Sequence, residues 1–224
     1  MNIIVATSTT NDGNMAIKQD LSNRDQVIKN RTTFLTSLGI NIQDATRVMI
    51  VYEGNNYLRY REVDDSNKAE GMFNGDGAAA DALVTRTPGQ ALFLPLADCV
   101  GATIYDPSQN VLMLSHVGRH SLEQFGARAS VEFLIDNYGC HPEDLMVWLT
   151  PAPGQERYPL YAFDNRSFKD VVFEQLQSAG IKREHITDDP TDTTNNPLYY
   201  SHSEFLAGRQ TDDGRYAMVA MMQP

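Results

Sequence analysis

Short apolar runs separated by polar turns organise this chain. Residues 3–6, 48–52, 91–96, 101–105, 111–115, 145–149 and 218–222 have the length and the apolar content of strands. Three stretches between them have helical spacing instead. The first begins near Ser22, where Ser22 and Asp25 imitate a capping box. Val27, Arg31, Phe34, Leu35 and Leu38 follow on one face, and Gly39 ends it. The second covers residues 121–138, with Leu122, Phe125, Ala129 and Phe133 on one face and Gly139 as its stop. The third covers residues 167–179, with Phe168, Val171, Val172 and Leu176 inward and Gly180 at its end. Strands and helices alternate only loosely, and several strands follow one another between residues 81 and 115. That pattern predicts an α+β fold with mixed sheets, not a doubly wound parallel sheet. Residues 64–80 and 188–197 are polar and rich in Gly, Asp, Asn and Thr, so they form loops. Both flank the segments with the best chemical signals and can supply the rim of a site.

Composition narrows the partners. With 224 residues and 42% hydrophobic content, the chain can bury a sizeable core, and we expect one domain over residues 1–224. No apolar window approaches the ~18 residues of a membrane span. The N-terminal apolar stretch is short and lacks a basic lead-in, so it is expected to be a first strand, not a signal peptide. These features predict a cytoplasmic protein without a membrane partner. A net charge of -11 repels phosphate backbones, which argues against nucleic acid. A short anion remains possible, because one local Arg outweighs a global field at contact distance. Two cysteines, Cys99 and Cys140, are too few for a disulfide scaffold and fit free thiols in a reducing compartment.

The candidate chemistry centres on two residues. Cys99 sits between two predicted strands, where a sulfur can act as nucleophile or soft metal ligand, or be buried structurally. His116 ends an apolar run just before Gly118 and a helix, and strand–Gly–helix turns suit anions. On a strand beside Cys99 it would complete a Cys–His pair. Arg119 and His120 either line the same pocket or begin the helix in solvent, and His120 is assigned to solvent. Cys140, His141 and His185 lie in polar turns and are assigned to the surface. His202 follows Tyr199 and Tyr200 and is assigned a structural role, with the pocket within its reach. Phosphate-binding loops of the G-x-G-x-x-G and Walker types are absent, as are H-E-x-x-H, C-x-x-C and G-x-S-x-G.

Several motifs occur in one order: Asp81-Ala82-Leu83-Val84-Thr85, Pro88-Gly89, Ala97-Asp98-Cys99, Asp106-Pro107 and His116-Val117-Gly118. Together they resemble the central signature of the laccase-domain family, known as polyphenol oxidases and as purine nucleoside phosphorylase-like proteins. Ser8-Thr9 and Asn30-Arg31 upstream, and Pro151-Ala152 and Gly208-Arg209 downstream, extend the resemblance over nearly the full chain. It implies a layered α/β/β/α fold and a zinc ion held by a His, a Cys and a second His. The implied activities are phosphorolysis of purine nucleosides, with phosphate as co-substrate, and deamination of adenosine. By this resemblance Cys99 and His116 are metal ligands at the reacting centre, and Tyr52, Asp81, Arg119 and Arg209 fall to substrate binding. The first ligand His is replaced: Tyr52 stands in its place within Ile50-Val51-Tyr52-Glu53-Gly54. Arg119-His120 stands where the family tends to have Trp-Arg, and Ser201-His202-Ser203-Glu204 where it has Tyr-Arg-Arg. The chain is thus a divergent member with a partly degenerate metal site. Two alternatives accompany the phosphorylase and deaminase expectation: a metal-independent Cys–His hydrolase or amidase, and a non-catalytic ligand-binding homologue. An oxidase copper site is the least favoured, since five scattered histidines do not provide one.

Overall fold

Alternation along the strands sorts the apolar residues into three packed layers. In β6 (Ala91–Leu96), Leu92, Leu94 and Leu96 face one way, while Ala91 and Phe93 face the other. Both faces are buried, which is why the strand is a continuous apolar run and not an alternating one. The computed structural model describes residues 2–224. The other strands are β1 (Ile3–Thr7), β2 (Ala45–Met49), β3 (Tyr60–Glu62), β4 (Ala78–Ala79), β5 (Ala82–Thr85), β7 (Val100–Asp106), β8 (Val111–Val117), β9 (Met146–Leu149), β10 (Ile186–Asp188) and β11 (Tyr216–Met222). The helices are α1 (Arg24–Ser37), α2 (Arg119–Glu123), α3 (Gly126–Tyr138), α4 (Phe168–Ser178) and α5 (His202–Leu206).

One sheet runs β1-β11-β6-β2-β4 and the other β10-β9-β7-β8-β5-β3. Both are mixed: β2 is parallel to β6 and β4, β3 to β5 and β10 to β9, while the remaining pairs are antiparallel. Leu92, Leu94, Leu112, Leu114, Tyr216 and Met218 fill the space between the sheets. Phe34 and Leu35 of α1 pack on the outer face of the first sheet, against Phe93 and Val219. Val131 and Leu134 of α3 and Val172 and Leu176 of α4 pack on the outer face of the second, against Ile104 and Val147. The order is helix, sheet, sheet, helix, as expected of an α+β fold with mixed sheets.

Four local expectations need correction. The strand expected at residues 48–52 is β2, three residues earlier, because its pairings run from Ala45↔Ala91 to Met49↔Ala79. Tyr52 therefore lies beyond the sheet in the polar turn that follows. The helix expected over residues 121–138 breaks into α2 and α3 at Phe125, which is left-handed (φ 60°) and exposed. A Cβ at Gly126 would meet the Ser121 carbonyl oxygen at 2.7 Å, so only glycine allows so tight a break. The Ser22 cap does not form: Asn23 precedes α1, and the Ser22 hydroxyl donates to Asp20. The stretch 64–80 is not all loop, since Ala78 and Ala79 add β4 beside β2.

Candidate active site

Strand register brings Cys99 and His116 together. Gly101 pairs with His116 and Val100 with Val117, so Cys99, one step further, comes opposite Gly118. Both residues alternate with the core-facing set of their strands and point between the sheets, at the open end of β7 and β8. A Cβ on Gly118 would lie 2.8 Å from His116 Cε1 and 3.2 Å from Cys99 Sγ, so sulfur and imidazole flank the same Cα. Asp81 enters from the start of β5, and its carbonyl accepts the His116 N–H at 2.8 Å. Its carboxylate accepts the Arg59 N–H on Oδ2 at 2.9 Å, with the Arg59 guanidinium 3.7 Å away. Oδ1 is buried with no partner among the described residues. Burial raises the Asp81 carboxyl above its ordinary range.

Burial also sets the charge state of the pair. It pushes the Cys99 thiol up to about 12, the neighbouring Asp98 carboxylate adding to the effect. It pushes the His116 imidazole down to about 4. At neutral pH the pair is a thiol beside a neutral imidazole. The anion-binding turn expected after His116 is only partly realised. α2 has five residues, and the Arg119 backbone N–H turns to the Cys99 sulfur.

Asp98 holds this corner in place. It is left-handed (φ 60°) and buried. The Ser201 hydroxyl donates to Oδ1 and the Ser203 N–H to Oδ2, each at 2.6 Å. These bonds dock α5 beside Cys99. The resulting cavity has a volume of about 320 Å³, at the small end of ligand pockets. Tyr52, Tyr57, His120 and Tyr158 supply aromatic walls, and Asp81, Arg119, Arg215 and His202 supply polar groups. Tyr57 and His120 stack with ring centroids 4.8 Å apart and an interplanar angle of 18°.

Of the residues expected at the site, Cys99, His116, Tyr52, Asp81 and Arg119 share this cavity. Arg209 does not. It lines a separate groove, where it binds Glu204 at 2.5 and 2.6 Å, and Arg157 binds the same carboxylate at 2.8 Å. His120, expected in solvent, is half-buried against Tyr57 in the cavity wall, because α2 begins directly at the cavity mouth. His202 also reaches the cavity, its Nδ1 2.9 Å from Asp213 Oδ1. Cys140, expected at the surface, is buried: it follows Gly139 in a tight turn that directs the thiol into the core under α3. His141 is exposed and His185 half-buried.

The donor set does not match the zinc site that the resemblance implies. Among the described residues, no three His, Cys, Asp or Glu side chains converge to hold a metal ion. Cys99 and His116 are two donors and Tyr52 offers only a phenol, whereas zinc sites in proteins ordinarily have three or four good ligands. No helix among the described residues is long and apolar enough to cross a membrane.

Comparison with known proteins agrees with the fold. A purine nucleoside phosphorylase of Deinococcus radiodurans is 30% identical over 156 residues, 69% of this chain and 53% of that protein. One of Bacteroides thetaiotaomicron is 24% identical over 131 residues, 57% of this chain and 47% of that protein. The chain thus spans about half the length of the curated relatives it matches. Among solved structures, the hypothetical protein YfiH of Bacillus licheniformis superposes with a TM-score of 0.85 at 23% identity, covering 99% of this chain and 93% of that one. YlmD of Geobacillus stearothermophilus gives 0.84 at 19% identity, covering 99% and 92%. At such identities these two likenesses speak of fold alone. The family model for multi-copper polyphenol oxidoreductase laccase matches residues 5–170. With that match spanning most of the chain, and both sheets and the Cys99–His116 corner in place, the chain belongs to the multi-copper polyphenol oxidoreductase laccase family.

Proposed function

We propose that this chain cleaves the N-glycosidic bond of a purine nucleoside with phosphate, in the cavity beside Cys99 and His116. The observation that carries the reading is the content of that cavity: aromatic walls, a buried carboxylate with a free oxygen, and two guanidinium groups. The relatives named purine nucleoside phosphorylase support it. A planar base fits against tyrosine rings. Asp81 Oδ1 can accept a hydrogen bond from a base N–H or a ribose O–H. Arg119, at the cavity rim, suits a phosphate oxygen. In phosphorolysis a phosphate oxygen bonds to the anomeric carbon, and the C–N bond breaks with its electron pair left on the base. The protein's tasks are to hold the two reactants in line, exclude water and deliver a proton to the base. Zinc enters no step here, because the described residues offer it only Cys99 and His116.

The Cys–His hydrolase reading is weaker on electrostatic grounds. A nucleophilic thiolate requires proton transfer from a thiol near 12 to an imidazole near 4, which lies far uphill. The test is to incubate the purified chain with inosine, guanosine and adenosine, with and without phosphate, and to separate the products by chromatography. Phosphate-dependent release of free base is the expected result. Asp81→Asn should lower kcat/KM at least roughly tenfold, and Arg119→Ala should raise KM for phosphate about tenfold, in keeping with the loss of one charge-assisted hydrogen bond. Base release without phosphate would indicate a hydrolase. Inosine formed from adenosine would indicate the deaminase. No turnover of any nucleoside would leave a binding protein.

A further inference from the structure

We propose that His202, oriented by Asp213, is the proton donor of this cavity, a catalytic residue that lines it together with Cys99 and His116. The assignment rests on the phosphorolysis reading and names the group that serves the leaving base.

Three histidines line the cavity, and geometry separates them. His116 is packed against Cys99 and Gly118. His120 lies flat on Tyr57, with Nε2 3.4 Å from the Arg119 guanidinium and Nδ1 3.9 Å from Glu123. His202 is different. Its Nδ1 is 2.9 Å from Asp213 Oδ1, and Arg215 Nη1 donates to the same oxygen at 2.6 Å. Arg215 lines the cavity as well. Burial alone would raise the Asp213 carboxyl. The hydrogen bonds from Arg215 and His202 outweigh that and hold it below its ordinary range, so it stays an acceptor. An ionised carboxylate on Nδ1 fixes the ring and its tautomer, and leaves Nε2 to take up and release a proton.

The backbone on both sides of His202 is keyed to the site. Ser201 and Ser203 bind the two oxygens of Asp98, the residue that precedes Cys99. His202 therefore keeps a fixed position relative to the Cys99 corner even though its side chain is 43% exposed. The charged groups around it are Asp213 and Arg215 ahead of β11, Asp98 from the β6–β7 junction and Arg119 from α2. Glu204 and Arg209 follow on its own helix and turn.

As the C–N bond breaks, the electron pair remains on the base, which takes the proton from His202 Nε2. The attacking hydrogen phosphate keeps its P–OH in the new ester, and this group then releases its proton. One proton from solvent restores His202, so protons and charge balance.

The experiment is the pH profile of kcat/KM for phosphorolysis by the wild-type chain and by the H202Q and D213N variants. The wild type should lose activity on the alkaline side as His202 deprotonates. H202Q should fall about 100-fold, within the range of general acid catalysis, and lose that limb. D213N should lower kcat roughly tenfold with KM little changed, since the ring loses the carboxylate that orients it. Both positions are partly exposed, so thermal melts should show both variants folded. H202Q turning over within about threefold of wild type, with the limb intact, would overturn the assignment alone. Wild type without phosphorolysis would overturn the underlying reading, and the assignment with it.

Discussion

Asp98 does the least replaceable structural work at the site. Left-handed backbone is unfavourable for a side chain with a Cβ, and short polar residues tolerate it best. Here the side chain is repaid with bonds from Ser201 and Ser203. Charge-assisted hydrogen bonds contribute about 1.5–3 kcal/mol each. Asp98→Ala should therefore lower stability by about 3 kcal/mol in a urea titration, and Asp98→Asn by about 1 kcal/mol, because Asn tolerates the backbone and keeps one acceptor. An Asp98→Asn variant as stable as wild type would mean that the charge on the bonds to α5 contributes nothing beyond backbone geometry. Tyr52 makes the opposite case, a residue whose replacement should add a function. It lines the cavity with Cys99 and His116, from the turn that follows β2. Tyr52→His would complete a third nitrogen or sulfur donor. Zinc affinity, measured by competition with a chromophoric chelator, should rise at least roughly tenfold over wild type, since zinc sites ordinarily need three good protein ligands. Unchanged affinity would mean that the turn cannot deliver the side chain to the pair.

At the scale of elements, the break between α2 and α3 depends on one glutamine of α4. Gln175 accepts the Ala127 N–H at 3.1 Å and donates to the Leu122 carbonyl at 2.9 Å, so it caps both broken ends. It is buried. Gln175→Met keeps the volume but strands the Ala127 N–H, and should cost about 1–3 kcal/mol in denaturant; a neutral effect would show that the break needs no cap. The break also shows what was legible in the chain. Long apolar runs such as β6, β8 and β11 were readable because burial on both faces leaves no alternation to mistake. α1 and α4 were readable from their spacing and stop glycines. The break at Phe125 is not, because Leu122, Phe125 and Ala129 hold helical spacing across it, while the room left by Gly126 and the bonds from Gln175 act against that spacing. β3, β4 and β10 are too short to carry a pattern. α5 carries a local signal, since Ser201-x-x-Glu204 is a capping-box spacing and the Ser201 side chain accepts the Glu204 N–H. Cys99 and His116 are legible from their places at the ends of apolar runs, and Asp81 from motif order. Tyr57, Tyr158 and Asp98 line the cavity through long-range contacts, and Asp213 bonds to its wall residues His202 and Arg215, which local pattern does not encode.

For the whole molecule, the site's dryness should be visible in its acid stability. Unfolded, His116 binds a proton near its ordinary value of about 6.5. Folded, burial delays protonation to about 4. Between these values the unfolded chain holds a proton that the folded chain does not, so stability must rise with pH across that window. Falling from pH 7 to pH 4 should remove roughly 3 kcal/mol through this one group. The lowered carboxylates act in a separate, more acidic window. Asp192 and Glu204, held down by their hydrogen bonds and ion pairs, stabilise the fold above the ordinary carboxylate range and lose that contribution only below it. Above pH 5 the two effects are therefore separable. Urea unfolding at intervals from pH 7.5 to pH 5, with a chelator present so that no cation competes for the imidazole, should show falling stability in the wild type and a nearly flat profile in His116→Gln. A wild-type slope that survives the substitution would place the proton-linked group elsewhere, and would mean that the His116 imidazole is solvated in the folded chain. A solvated imidazole there would also be free to take the Cys99 proton, which would revive the nucleophilic reading that burial now disfavours.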